Sequence, residues 1–172
     1  MGALELRTAT DEDLPAVAAL VVRAYRGPGS EHGWTSEADY IAGPRTDVAT
    51  VRGLAAVPGS VFVVAVLDDE VVGTALLQRR GGTAYFGMFA VDPQRQRLGT
   101  GAAVLAACET LARDEWGCAR LEMTVIDRRT DLIAWYERRG YAPTGEVDDF
   151  PWHAGITPVR TDFRLLHLAR RL

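Results

Sequence analysis

Leu14, Val17, Ala18 and Val21 recur three and four residues apart, directly after Thr10 and Asp13, whose spacing makes a capping-box start for a helix. Gly27-Pro28-Gly29-Ser30 ends that helix. A polar and aromatic stretch, Glu31 to Glu37, follows, and Ser36 is placed to cap a short helix. Beyond Pro44, the positions Val48, Val51, Leu54 and Ala55 set out another inward stripe. The rhythm then changes. Ser60 to Leu67 is an apolar, β-branched run ending at Asp68-Asp69, so Val71 to Gln78 returns as its hairpin partner. Gly81-Gly82 turns the chain into a further strand ending at Val91. A helix from Thr100 carries Gly101, Val104, Leu105, Cys108, Leu111 and Ala112 on one stripe, with Thr110, Arg113 and Asp114 opposite. Leu121 to Val125 reads as a strand, Asp131 opens a helix that Gly140 stops, and Asp162 to Leu168 has the pattern of a final strand. With Leu4 to Arg7 as an opening strand, the order predicts an α/β fold. It is a mixed, mostly antiparallel central sheet of about seven strands with helices on both faces, in a single domain over residues 1–172.

Composition narrows the partners. A net charge of -4 in 172 residues argues against nucleic acid or an anionic membrane as the main partner. The N-terminal residues lack the basic region and apolar run of a signal peptide, and no stretch approaches a membrane span. The 2 cysteines, Cys108 and Cys118, make neither a disulfide framework nor a metal site, and the 3 histidines show no ligand spacing. These features predict a cytoplasmic protein without a structural metal.

The candidate chemistry centres on Gln96-Arg97-Leu98-Gly99-Thr100-Gly101, reached from the strand Phe86 to Val91 through an Asp92-Pro93 turn. A helix start leaves backbone N–H groups without intrahelical partners, and glycines there let a phosphate approach closely. The dinucleotide fingerprint fails, because its third glycine falls on Val104. The nucleoside triphosphate loop fails too, because Gly101 is followed by Ala102-Ala103. What fits is Q-x-x-G-x-G after a strand and a proline turn, and this resembles the coenzyme A pyrophosphate loop of the GNAT superfamily of acyl-CoA N-acyltransferases. A second block supports it: Leu121 to Val125, then Asp131 to Tyr141 with its Tyr136-Glu137 pair and closing Gly140-Tyr141.

The resemblance implies a fold whose fourth and fifth strands splay, with the pantetheine arm of acetyl-CoA pairing between them. Phe89, Ala90 and Val91 would supply backbone partners, and Gln96, Arg97, Leu98, Gly99, Thr100 and Gly101 the pyrophosphate cradle. Arg95 and Arg97 either add bonds to phosphate or form a solvated basic turn. Tyr136 stands where the family keeps the tyrosine that protonates the departing thiolate. By residue type alone it reads as a core aromatic beside Leu132 and Ile133. Two positions depart from the family. Arg129 replaces an asparagine that touches the cofactor arm, and Tyr85 replaces a glutamate base used by protein-lysine acetylases. A tyrosine of ordinary pKa is a poor base, so the proton of the attacking amine needs another group or a water relay. Candidates lie in Glu31 to Glu37 and in Asp148 to His153, with Trp34, Glu37, Tyr85 and Trp152 as acceptor contacts. Acids among aromatics would suit a cationic amine.

The expected activity is acetyl transfer from acetyl-CoA to a primary amine of a small molecule or amino-acid-like acceptor, by direct attack in a ternary complex. A protein lysine or N-terminal acetylase, a longer acyl donor, and a non-catalytic acyl-CoA sensor are the alternatives. Members of the superfamily often form homodimers.

Overall fold

The computed structural model describes residues 2–25, 36–43, 45–95, 99–154 and 156–172. Trp34, Gln96, Arg97 and Leu98 lie outside the described residues. Along the chain run β1 (Glu5–Thr8), α1 (Leu14–Tyr25), β2 (Ile41–Ala42), α2 (Val48–Ala55), β3 (Ser60–Leu67), β4 (Glu70–Arg80), β5 (Thr83–Val91) and α3 (Thr100–Thr110). They are followed by β6 (Arg120–Ile126), α4 (Thr130–Glu137), β7 (Ala142–Asp149), β8 (Thr157–Pro158) and β9 (Arg164–Arg171). After α3 the chain widens into a π turn over Leu111–Glu115, where the Trp116 N–H reaches back to the Leu111 carbonyl.

The main sheet has 7 strands in the order β1-β3-β4-β5-β6-β9-β7, and β2 pairs separately with β8. Every pairing in the main sheet is antiparallel except β5 with β6. The mixed, mostly antiparallel sheet agrees with the sequence reading.

Side-chain alternation along the central strands divides the core between two faces. Val63, Ala65 and Phe86 point to the side where α3 packs through Val104, Leu105 and Cys108, and α4 through Leu132 and Tyr136. Phe62, Val64 and Leu76 point to the other, under α1 (Leu14, Val17, Val21) and Val51 of α2. Burial of these side chains, each worth about 1.5–3 kcal/mol, holds the helices on the sheet.

The start of α1 is locked electrostatically. Arg7 of β1 donates two bonds to Asp13, at 2.6 and 3.0 Å, and the Thr10 N–H donates to the same carboxylate at 2.6 Å. These bonds, the Arg7 pair foremost, hold the Asp13 carboxyl well below its usual range. A folded-state pKa depressed below the unfolded value gives stability that is present above pH ~4 and lost as the pH falls toward the folded pKa. Stability measured by denaturant at about pH 7 and about pH 3 is therefore expected to drop in acid, and Asp13→Asn to flatten that drop. An acid limb unchanged in the variant would mean other carboxylates carry it.

Two expectations change. The short helix capped by Ser36 is a single turn. The Ser36 hydroxyl accepts from the Ala38 N–H, and the Glu37 carbonyl accepts from Tyr40 and Ile41 before the chain enters β2. Pairing with β8 ends the helical direction after that turn. The segment containing Asp148 and Asp149 is the end of strand β7, which forms one edge of the sheet.

Candidate active site

The parallel ladder between β5 and β6 covers only Thr83↔Arg120, Ala84↔Leu121 and Tyr85↔Glu122, and beyond it the strands part. On its other side β5 carries an extra residue. Thr74 faces Ala90 while Leu76 faces Gly87, so Met88 and Phe89 share the space opposite Ala75. Met88 there takes a φ of 44°, a left-handed conformation that costs a non-glycine residue on the order of 1–3 kcal/mol. Bulges of this kind bend a strand and re-aim its side chains. Met88 is buried on the α1 side, while Phe89 is buried on the α3–α4 side.

A cavity of about 390 Å³ fills the gap. Its strand walls are Phe86 to Phe89 and Met123 to Ile126, and α4 contributes Leu132 and Tyr136. Across from α4 stand Tyr25 at the end of α1, Glu37 and Arg45. The segment between β7 and β8 closes the side with Phe150, Pro151, His153 and Ile156. Separate stretches of chain from α1 to β9 meet here, which no local pattern in the sequence reveals.

Tyr136 is held in place by its neighbours. It is 3% exposed, its ring meets Trp135 edge-on at 5.0 Å and Tyr141 at 5.8 Å, and Trp135 stacks on Phe89 at 6.0 Å. The Tyr141 hydroxyl in turn donates to Glu109 of α3 at 2.7 Å, and Arg170 of β9 donates to the same carboxylate at 2.9 Å. Burial pushes the Tyr136 phenol well above its ordinary range, so it keeps its proton throughout neutral pH. Burial does the same to Tyr25.

Tyr85 sits where the ladder ends. Its ring lies along β5 over Gly87, where a Cβ would come within 2.9 Å of Tyr85 Cε1. Arg80 covers the ring at 4.0 Å, and the hydroxyl shares a 3.3 Å hydrogen bond with Thr124 across the opening. Glycine at position 87 thus sets the direction of a cavity side chain.

Of the residues assigned to the cofactor, Phe89 and Arg129 line the cavity, while Ala90 and Val91 are buried on β5 past the end of the ladder. Gly99 caps α3 at φ 79°, Thr100 is buried, and a Cβ on Gly101 would meet Phe89 Cζ at 3.1 Å. Of the acceptor assignments, Glu37 and Tyr85 line the cavity. Trp152 does not; 39% exposed, it packs on Phe150 at 4.6 Å and Phe163 at 5.7 Å, bracing the wall from outside. Asp148 is turned to His167, 2.7 Å away. Sequence reading missed Tyr25, Arg45, Thr124 and Ile156. Only Tyr25 carried a signal, since it extends the inward stripe of α1 by one turn. Among the described residues no group of three or more His, Cys, Asp or Glu side chains is arranged to hold a metal ion.

The chain is similar to the ribosomal-protein-S18-alanine N-acetyltransferase of Escherichia coli, with a TM-score of 0.71 and 19% identity over 98% of this chain and 94% of that one. It is similar to the ribosomal-protein-alanine N-acetyltransferase of Brucella melitensis, with a TM-score of 0.72 and 22% identity over 98% and 100%. A third likeness is to a Bacillus anthracis structure described as a streptothricin acetyltransferase in complex with acetyl coenzyme A, with a TM-score of 0.59 and 17% identity over 70% and 67%. No curated protein matches the sequence. Residues 15–141 match the acetyltransferase (GNAT) family, and the chain belongs to that family.

Proposed function

We propose that this protein is an acetyl-CoA-dependent N-acetyltransferase acting on the primary amine of a small, amino-acid-like acceptor. The observation that carries the reading is one cavity, at the parting of β5 and β6, lined by both Tyr136 and Glu37. Phe89 to Val91 take the pantetheine arm, the residues Gln96 to Gly101 take the pyrophosphate, and Arg129 lines the same cavity. The amine nitrogen attacks the thioester carbon, the C–N bond forms and the C–S bond breaks. A free amine of pKa about 10 reaches the site mainly as an ammonium and must shed a proton first. Glu37 takes that proton, directly or through one water, the second N–H proton passes to water as the tetrahedral intermediate collapses, and the sulfur leaves as a thiolate hydrogen-bonded by the Tyr136 hydroxyl. Backbone N–H groups of the β5 bulge are suited to the oxyanion of the tetrahedral intermediate. Neither cysteine acts as an acyl carrier. Cys108 is fully buried, and burial pushes its thiol far above its usual pKa. Two free, buried thiols suit a reducing cytoplasm, and all of residues 1–172 serve one domain.

Thiol release from acetyl-CoA, followed across amines, amino acids, polyamines and short peptides, tests the reading. Acceptor-dependent release is the expected result. Saturable CoA binding with no release for any acceptor would replace the enzyme with a sensor of acyl-CoA.

A further inference from the structure

The charges around the cavity narrow the acceptor. Among the described lining residues Glu37 is the one carboxylate, against two guanidiniums, Arg45 and Arg129. Glu37 is 14% exposed and already faces a cation, with Arg45 Nε 3.9 Å away. Arg129 lines the same cavity as Tyr25 and Tyr136. Phe150, Pro151 and Ile156 make the neighbouring wall apolar, and low polarity strengthens the field of the cations.

An acceptor bearing a second positive charge, such as a polyamine or a lysine side chain, finds among the described lining residues a single carboxylate, Glu37, which Arg45 already faces. A carboxylate instead meets charge-assisted donors of the geometry arginine favours. Resting on the N-acetyltransferase reading, we infer that the acceptor carries a carboxylate beside its amine and an apolar body, as an α-amino acid with an apolar side chain does. The two guanidiniums then act twice. They hold the carboxylate, and they lower the pKa of the adjacent ammonium, easing the proton loss that attack requires.

The test compares phenylalanine and leucine with their amides and with the amines that lack the carboxyl group. The free acids are expected to show about 10- to 100-fold higher kcat/KM, the range for a hydrogen-bonded charge. The amide has the less basic amine, which biases the comparison against this result. Arg129→Gln and Arg45→Gln should each shrink the acid-over-amine ratio toward one. A binding arm runs independently of turnover and of the variants' folding: N-acetylphenylalanine should bind the CoA-loaded wild-type protein at least about tenfold more tightly than N-acetylphenethylamine. Equal turnover of acids, amides and amines would overturn the carboxylate site and leave the proposed reaction standing, and so would a preference for peptide amides or polyamines. Absence of all turnover would sink the proposed reaction, and the binding comparison would still decide for or against the carboxylate site.

Discussion

Tyr136→Phe is expected to lower kcat by roughly 10²- to 10⁴-fold, the contribution typical of a positioned proton donor, with little change in KM for acetyl-CoA. The ring contributes its packing through Trp135, Tyr141 and the buried floor of the cavity, and phenylalanine keeps all of that. Folding stability should therefore stay within about 1.5 kcal/mol, the worth of a single hydroxyl hydrogen bond. The pH dependence follows from the raised phenol. Its pKa lies well above the usual value because of burial, so it remains protonated across any practical assay range. The ratio of wild-type to variant kcat should then be flat from about pH 6 to about pH 9. The same shift defines what the hydroxyl supplies. Complete transfer from such a phenol to a thiolate with a pKa of about 8.5 is uphill, so the benefit lies in a hydrogen bond that strengthens as charge grows on sulfur. Unchanged kcat in the variant would reduce Tyr136 to a wall residue.

How much of this could be read from the sequence depends on where the information lay. Ser60 to Leu67 and its partner were legible because both are buried central strands with continuous apolar runs. α1 and α3 were legible because their stripes meet a single core face. β7 was not. Ala142 to Asp149 lies almost wholly exposed at the sheet edge, so nothing selects apolar residues at alternate positions, and its ladder is interrupted between Pro143 and Val147. The two-residue strands β2 and β8 are too short for any period, and tertiary pairing alone defines them. The site divides the same way. Tyr136 and the start of α3 at Gly99 to Gly101 sit in local motifs, whereas Tyr25, Arg45, Thr124 and Ile156 reach the cavity from four distant parts of the chain.

Glu37→Gln carries the other large expectation, a fall in kcat of roughly 10²- to 10⁴-fold near neutral pH. The substitution leaves the scaffold intact, because Glu37 is fixed through its backbone. Its N–H donates to the Tyr25 carbonyl at 2.8 Å, and its carbonyl accepts from Tyr40 and Ile41 at 2.9 Å each. What glutamine removes is a proton acceptor and the counter-charge to Arg45. The pH dependence separates the two losses. An amine of pKa about 10 arrives increasingly neutral as the pH rises and then needs no base for the proton lost before attack, so the deficit of the variant should shrink steadily between about pH 7 and about pH 9.5. A deficit of constant size across that range would mean that Glu37 only orients the amine or restrains Arg45. The acceptor series distinguishes it further from the arginines. Losing the base slows amino acids and their decarboxylated amines alike and preserves the preference between them. Losing Arg129 erodes the preference itself. An acid–amine ratio that collapsed in Glu37→Gln would show that the carboxylate and guanidinium charges act as one binding unit, with no separate base.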